Sequence, residues 1–150
     1  MKRVIYIDFD GVLVDTPKFI NKEIKMKGNS EETFRNLSWN YLLQNCNEIE
    51  NNLTTLKKIS KNNKVIILTH VYSINEKFAK KRFISEKLNN IKIITIPYYI
   101  DKNIVVNAKE NILIDDYGKN IDKWINSGGI GIQLKKEKRI DRLLVNYINN

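Results

Sequence analysis

The chain has 150 residues, a length that buries roughly 70% of its unfolded surface and so supports one domain without disulfide or structural metal. The single cysteine, Cys46, excludes an intramolecular disulfide, and one Cys beside one His, His70, excludes a Cys/His zinc centre. The net charge of +9 is spread along the chain, with one cluster at Lys135-Lys136-Glu137-Lys138-Arg139, which favours a solubilising lysine-rich surface over a nucleic-acid footprint.

Short β-branched runs are predicted as strands at Arg3–Asp8, Lys64–Thr69, Ile91–Ile96, Asn111–Ile114 and Gly129–Leu134. Most are unbroken apolar stretches, the pattern of strands covered on both faces. Between them, helical spacing of apolar residues predicts helices over Glu48–Asn62, Ile74–Leu88, Lys119–Ser127 and Lys138–Ile148. In Ile74–Leu88 the apolar face is assigned to Phe78, Phe83, Ile84 and Leu88. Thr16-Pro17 reads as an N-cap with a first-turn proline, Gly128-Gly129 as a helix stop, and Asp101 as the cap of a short helix from Lys102. Alternation of strand and helix implies right-handed crossovers. The fold class is α/β, a Rossmann-like three-layer sandwich with a mainly parallel five-stranded sheet.

About forty residues separate the first strand from the helix near Glu48, more than one crossover needs. Residues 17–47 therefore read as a small helical cap inserted after strand 1, within a single domain spanning 1–150. Such an insertion leaves from the sheet edge where open α/β sheets bind ligands. No apolar run approaches the ~20 residues that span a bilayer. Met1-Lys2-Arg3 runs straight into a core strand without a cleavage pattern, so the expected location is the cytoplasm.

Two carboxylate pairs close apolar runs: Asp8 and Asp10 after Val4-Ile5-Tyr6-Ile7, and Asp115 and Asp116 after Ile112-Leu113-Ile114. Acidic groups at strand ends are costly without cationic partners, which implies a metal, a phosphate-handling site, or both. Asp8 and Asp10 lie two residues apart, so an extended backbone points both side chains to one side, and Gly11 permits a sharp turn after them. Adjacent Asp115 and Asp116 can serve one site only where the strand ends, as Tyr117-Gly118 indicates. Thr69 ends another strand on the same edge, with a hydroxyl suited to a phosphate oxygen.

Asp8-Phe9-Asp10-Gly11-Val12, Leu68-Thr69, Lys102 and Ile114-Asp115-Asp116 occur in that order. The set resembles the haloacid dehalogenase-like hydrolase superfamily, which carries Asp-x-Asp-Gly, a Ser/Thr after a strand, a Lys and a carboxylate pair. The likeness is nearest to its 5′(3′)-deoxyribonucleotidase branch. It rests on Gly11-Val12-Leu13-Val14-Asp15-Thr16, on Asp101-Lys102-Asn103-Ile104-Val105-Val106, and on Leu113-Ile114-Asp115-Asp116 with Asn120 and Trp124 downstream.

The resemblance implies a magnesium-dependent phosphomonoesterase in which Asp8 is the nucleophile and Asp10 the general acid and base. It implies magnesium ligands from Asp8, the Asp10 carbonyl and Asp115, with Asp116 bound through water or placed behind, and phosphate contacts from Thr69 and Lys102. Lys109 competes with Lys102 for the lysine role, and Asp101-Lys102-x-x-Val favours Lys102. All-oxygen ligands suit Mg2+ better than zinc. The expected partner is a small phosphorylated substrate, a nucleotide first. Phe34, Trp39 and Tyr41 of the cap are candidate base contacts. A phosphatase for nucleic-acid ends or another phosphometabolite is the alternative, with a non-catalytic nucleic-acid-binding module behind it. Oligomeric state is not legible.

Overall fold

The computed structural model describes residues 2–148. Five strands, β1 (Val4–Ile7), β2 (Lys64–Val71), β3 (Lys92–Pro97), β4 (Ile112–Asp115) and β5 (Ile130–Gln133), form one sheet in the order β3-β2-β1-β4-β5. Every pairing is parallel. The first strand is central, and the chain winds outward on both sides of it. The order thus reverses at β1, where the carboxyl ends of β1 and β4 open a crevice.

The period-two alternation of β1 divides the core. Ile5 and Ile7 face a cluster with Leu53, Leu56, Ile84 and Leu144, whereas Tyr6 faces a second with Leu113, Ala108 and Trp124. The first layer holds α4 (Asn52–Ile59), α5 (Ile74–Lys87) and α8 (Ile140–Leu144); the second holds α7 (Gly118–Asn126). Trp124 is fully buried, meets Tyr6 edge-to-face at 5.3 Å between ring centroids, and donates its indole N–H to the Asn111 carbonyl at 3.0 Å.

Residues 17–47 contribute to three helices, α1 (Thr16–Lys27), α2 (Glu31–Arg35) and α3 (Trp39–Asn45). They leave and rejoin the sheet through a narrow neck: the Asp15 N–H donates to the Asn47 carbonyl and the Ile49 N–H to the Leu13 carbonyl. Phe34 of α2 stacks on Tyr72 beyond β2 at 4.7 Å, and Tyr72 stacks on Tyr98 beyond β3 at 4.3 Å. This ring ladder clips the inserted helices to the carboxyl edge of the sheet.

Several boundaries differ from the sequence expectation. Thr16 lies inside the first turn of α1 and Asp15 takes the N-cap position, because the Thr16 hydroxyl is drawn to Asp10. Glu50 and Asn51 adopt left-handed backbone, which delays α4 to Asn52. The last helix is confined to Ile140–Leu144 rather than Lys138–Ile148. The Lys138 carbonyl is taken by the Asn52 side chain at 2.8 Å instead of by a helical N–H. Asp101 does stand at the N-cap of α6 (Lys102–Val105), but its side chain pairs with Lys123 at 2.6 Å and makes no cap bond.

The apolar face assigned to α5 is also wrong in part. Phe78 is exposed, and the buried positions are Glu76, Ala79, Lys80 and Ile84. Among the described residues no helix is long and apolar enough to cross a membrane.

A Cβ on Gly129 would overlap the Trp124 indole nitrogen and approach the Ala108 carbonyl to 2.7 Å. Gly129→Ala is therefore expected to cost about 1–3 kcal/mol through overpacking. Urea denaturation checks this, and an unchanged midpoint would contradict the packing described.

Candidate metal and phosphate site

Register brings the acidic groups together. Ile7 pairs with Ile114, so Asp8 and Asp115 each follow one member of a matched pair, and the Asp8 N–H donates to the Ile114 carbonyl at 2.9 Å. Asp8, Asp115 and Asp116 each offer a carboxylate oxygen, all within 4.8 Å of one another. Phe9, between Asp8 and Asp10, is fully buried. Gly11 has φ of +73°, and a Cβ there would overlap the Asp116 carboxylate, so the loop after Asp10 and the Asp116 side chain share space that glycine alone leaves open.

Lys102, at the first turn of α6, places its buried Nζ 2.8 Å from Asp8 Oδ1 and 2.7 Å from Asp115 Oδ2. Lys109 lies exposed ahead of β4, at the opposite edge of the sheet, so Lys102 is the lysine the fold delivers to the carboxylates. Asp115 is further fixed by the Asn120 amide at 2.9 Å and the Tyr117 N–H at 3.0 Å.

Burial drives the Asp8 carboxyl well above the ordinary range, and neighbouring Asp115 adds to the effect. Asp116 is pushed up to about 7 by burial, then by Asp115 and Asp10. Burial alone would lower the Lys102 ammonium, but Asp8 and Asp115 together raise it. Three carboxylates against one ammonium leave an excess of negative charge that a divalent cation matches. The donors are all oxygen, which fits magnesium among common ions.

Asp10 points elsewhere. Its Oδ1 accepts the Thr16 hydroxyl at 2.6 Å, and its Oδ2 meets Lys80 Nζ at 2.5 Å. Its carboxylate stands outside the three-carboxylate group. Thr69 is fully buried in β2, which runs two residues past it; its hydroxyl receives a Lys80 N–H at 3.1 Å. The Thr69 proton has only weak local acceptors, Asp10 Oδ2 and the His70 carbonyl, each at 3.4 Å. His70 donates from Nε2 to the Ile100 carbonyl at 2.8 Å, and burial holds its imidazole below the ordinary value.

The candidate base contacts separate. Trp39 is buried with its ring 4.8 Å from Lys80 Nζ, Tyr41 is exposed, and Phe34 lies in the ring ladder. Cys46 is half-buried.

Lys80 and Glu76 are missing from the sequence reading. They lie one helical turn apart, with Nζ 2.7 Å from Glu76 Oε2, a spacing that ordinarily marks an exposed surface pair. The available signal was the weak amphipathicity of Ile74–Lys87, whose bulky residues fit no single stripe.

No protein-family profile and no curated protein matches the chain. A haloacid dehalogenase-like family hydrolase from Xanthomonas campestris superposes with a TM-score of 0.58 at 12% identity, over 88% of this chain and 81% of that one. A hydrolase from Pseudomonas syringae gives a TM-score of 0.58 at 13% identity, over 95% of this chain and 90% of that one. The chain shares the Rossmann-like α/β fold of these proteins.

A carboxyl raised on folding stabilises the fold at low pH and loses that contribution as pH climbs through its folded value. For Asp116 that window runs from about 4 to about 7. A divalent ion takes the deprotonated carboxylates, so its stabilisation grows over the same window. Magnesium should therefore raise Tm more at about pH 8 than at about pH 5, read by calorimetry. An equal or reversed increment would contradict the cluster as a cation site.

Proposed function

We propose that this chain is a magnesium-dependent phosphomonoesterase, a 5′(3′)-deoxyribonucleotidase acting on nucleoside monophosphates, with α1–α3 as a small cap over the site. The observation that carries this reading is the meeting of Asp8, Asp115 and Asp116 beside the Lys102 ammonium at the carboxyl edge of a parallel sheet. The shared fold with haloacid dehalogenase-like hydrolases supports it.

Asp8 attacks phosphorus and forms an aspartyl-phosphate. Asp10 protonates the departing ester oxygen and then takes a proton from the water that hydrolyses the intermediate. Lys102 and the Thr69 hydroxyl hold phosphate oxygens, with backbone N–H groups after Asp10 completing the cradle.

A carboxylate approaching a dianionic phosphate meets repulsion of about 4 kcal/mol per charge pair at about 4 Å and an effective dielectric near 20. Two such pairs would cost about five to six decades of rate. Lys102 offsets part of this and favours ionised Asp8. Asp8, the Asp10 carbonyl, Asp115 and Asp116 would hold magnesium, which would supply the remaining charge neutralisation.

For a nucleotide, the stacked rings of Phe34, Tyr72 and Tyr98 are the aromatic group beside which a base would lie. Phe34 is the cap residue assigned to that contact. Trp39 closes over Lys80 instead.

Purified protein is expected to release phosphate from deoxynucleoside monophosphates when magnesium is present, and to lose at least about a thousandfold in Asp8→Asn. A malachite-green assay across a phosphomonoester panel measures both. Inertness toward the whole panel with magnesium would defeat the reading, and preference for a 3′-phosphorylated oligonucleotide would move it to nucleic-acid ends.

A further inference from the structure

We propose that Lys80, braced by Glu76, is a positioning residue for Asp10: it fixes Asp10 Oδ2 and receives the negative charge that develops there as the proton leaves for the ester oxygen. This inference rests on the phosphomonoesterase reading above.

Lys80 is completely buried, Glu76 nearly so, and neither belongs to the proposed metal or phosphate contacts. The ammonium faces Asp10 Oδ2 at 2.5 Å, Glu76 Oε2 at 2.7 Å, the His70 carbonyl at 3.0 Å and Thr69 Oγ1 at 3.1 Å. Three N–H bonds are thus spread over four acceptors. Phe9 and Trp39 close the remaining sides, their ring centroids 5.2 and 4.8 Å from Nζ.

Glu76 is itself anchored, because its Oε1 accepts the Tyr72 N–H at 2.8 Å and its own N–H reaches the Ser73 hydroxyl at 3.1 Å. The α5 N-terminus therefore fixes Glu76, Glu76 fixes Lys80, and Lys80 fixes Asp10. A buried ammonium with its own buried counter-ion is costly to assemble and here ends on the carboxyl assigned to proton transfer.

In the first half-reaction the Asp8 Oδ–phosphorus bond forms as the phosphorus–ester oxygen bond breaks, and the Asp10 proton passes to that oxygen. Asp10 is left anionic opposite Lys80, which stands ready to stabilise it without reorganisation. Asp10 regains a proton from the attacking water in the second half. Lys80 therefore matters most where the leaving oxygen needs that proton. An alkyl ester such as thymidine 5′-monophosphate needs it, and p-nitrophenyl phosphate, whose phenolate departs unaided, does not.

The experiment compares kcat/KM, which reports the first half-reaction, for these two esters in wild type, Asp10→Asn, Lys80→Met, Lys80→Arg and the double variant Glu76→Gln with Lys80→Met. The double variant leaves no unpaired charge on Glu76, and the glutamine oxygen retains the Tyr72 contact, so it guards against misfolding of the single variant. Both Lys80→Met proteins are expected to lose about a hundredfold on thymidine 5′-monophosphate and at least about tenfold less on p-nitrophenyl phosphate. Asp10→Asn should give the same pattern and Lys80→Arg a partial recovery. Parallel losses on the two esters would overturn the role of Lys80 while leaving the phosphatase reading intact. A wild-type protein inert toward both would overturn the two together.

Discussion

A carboxylate taken out of water must recover its lost hydration from fixed partners, and Asp115 is fully buried at the end of β4. The partner is the Lys102 ammonium, which bridges it to Asp8 across the β1–β4 boundary. The rest of the crevice is arranged around that bridge. It requires α6 to begin at Lys102, β4 to stop at Asp115, and Gly11 to leave room for Asp116. Burial, with Asp115 adding to it, keeps Asp8 and Asp116 reluctant to ionise. A second bridge, from Lys80 to Asp10 and Glu76, does the corresponding work on the α5 side of the crevice.

Much of this was legible before any coordinates. Strands covered on both faces read as continuous apolar runs, as β1 and β4 do, and the carboxylates that terminate them stand out directly. Adjacent parallel strands then leave little freedom: matching Ile7 with Ile114 brings Asp8 beside Asp115 whatever the helices do. The Asp101-Lys102-x-x-Val motif favours Lys102 over Lys109, and the fold puts the two at opposite ends of the sheet.

Other features were hidden for identifiable reasons. Lys80 was missed because its neighbours mislead: Phe78 carries the apolar signal yet faces water, while the charged Glu76 and Lys80 face inward. Periodicity scores hydrophobicity and cannot see that a cation and an anion one turn apart neutralise each other. The start of α4 was hidden by Glu50 and Asn51, non-glycine residues in left-handed conformation that no composition rule flags. Trp39 reads as a ligand contact in the sequence because aromatic residues in an inserted segment look available. In the folded chain its ring lies over Lys80, a contact between segments about forty residues apart.

Asn52 carries a consequence of a different kind. Its side-chain amide donates to the Val12 carbonyl and to the Lys138 carbonyl, both at 2.8 Å, and its oxygen accepts the Ile140 N–H at 3.3 Å. One buried amide thus staples the loop behind Asp8 to the segment Lys138–Ile140. During synthesis the first strand leaves the ribosome early, but this staple closes only after residue 140 has been added. A nascent chain therefore carries every acidic group of the crevice before it can lock them in place.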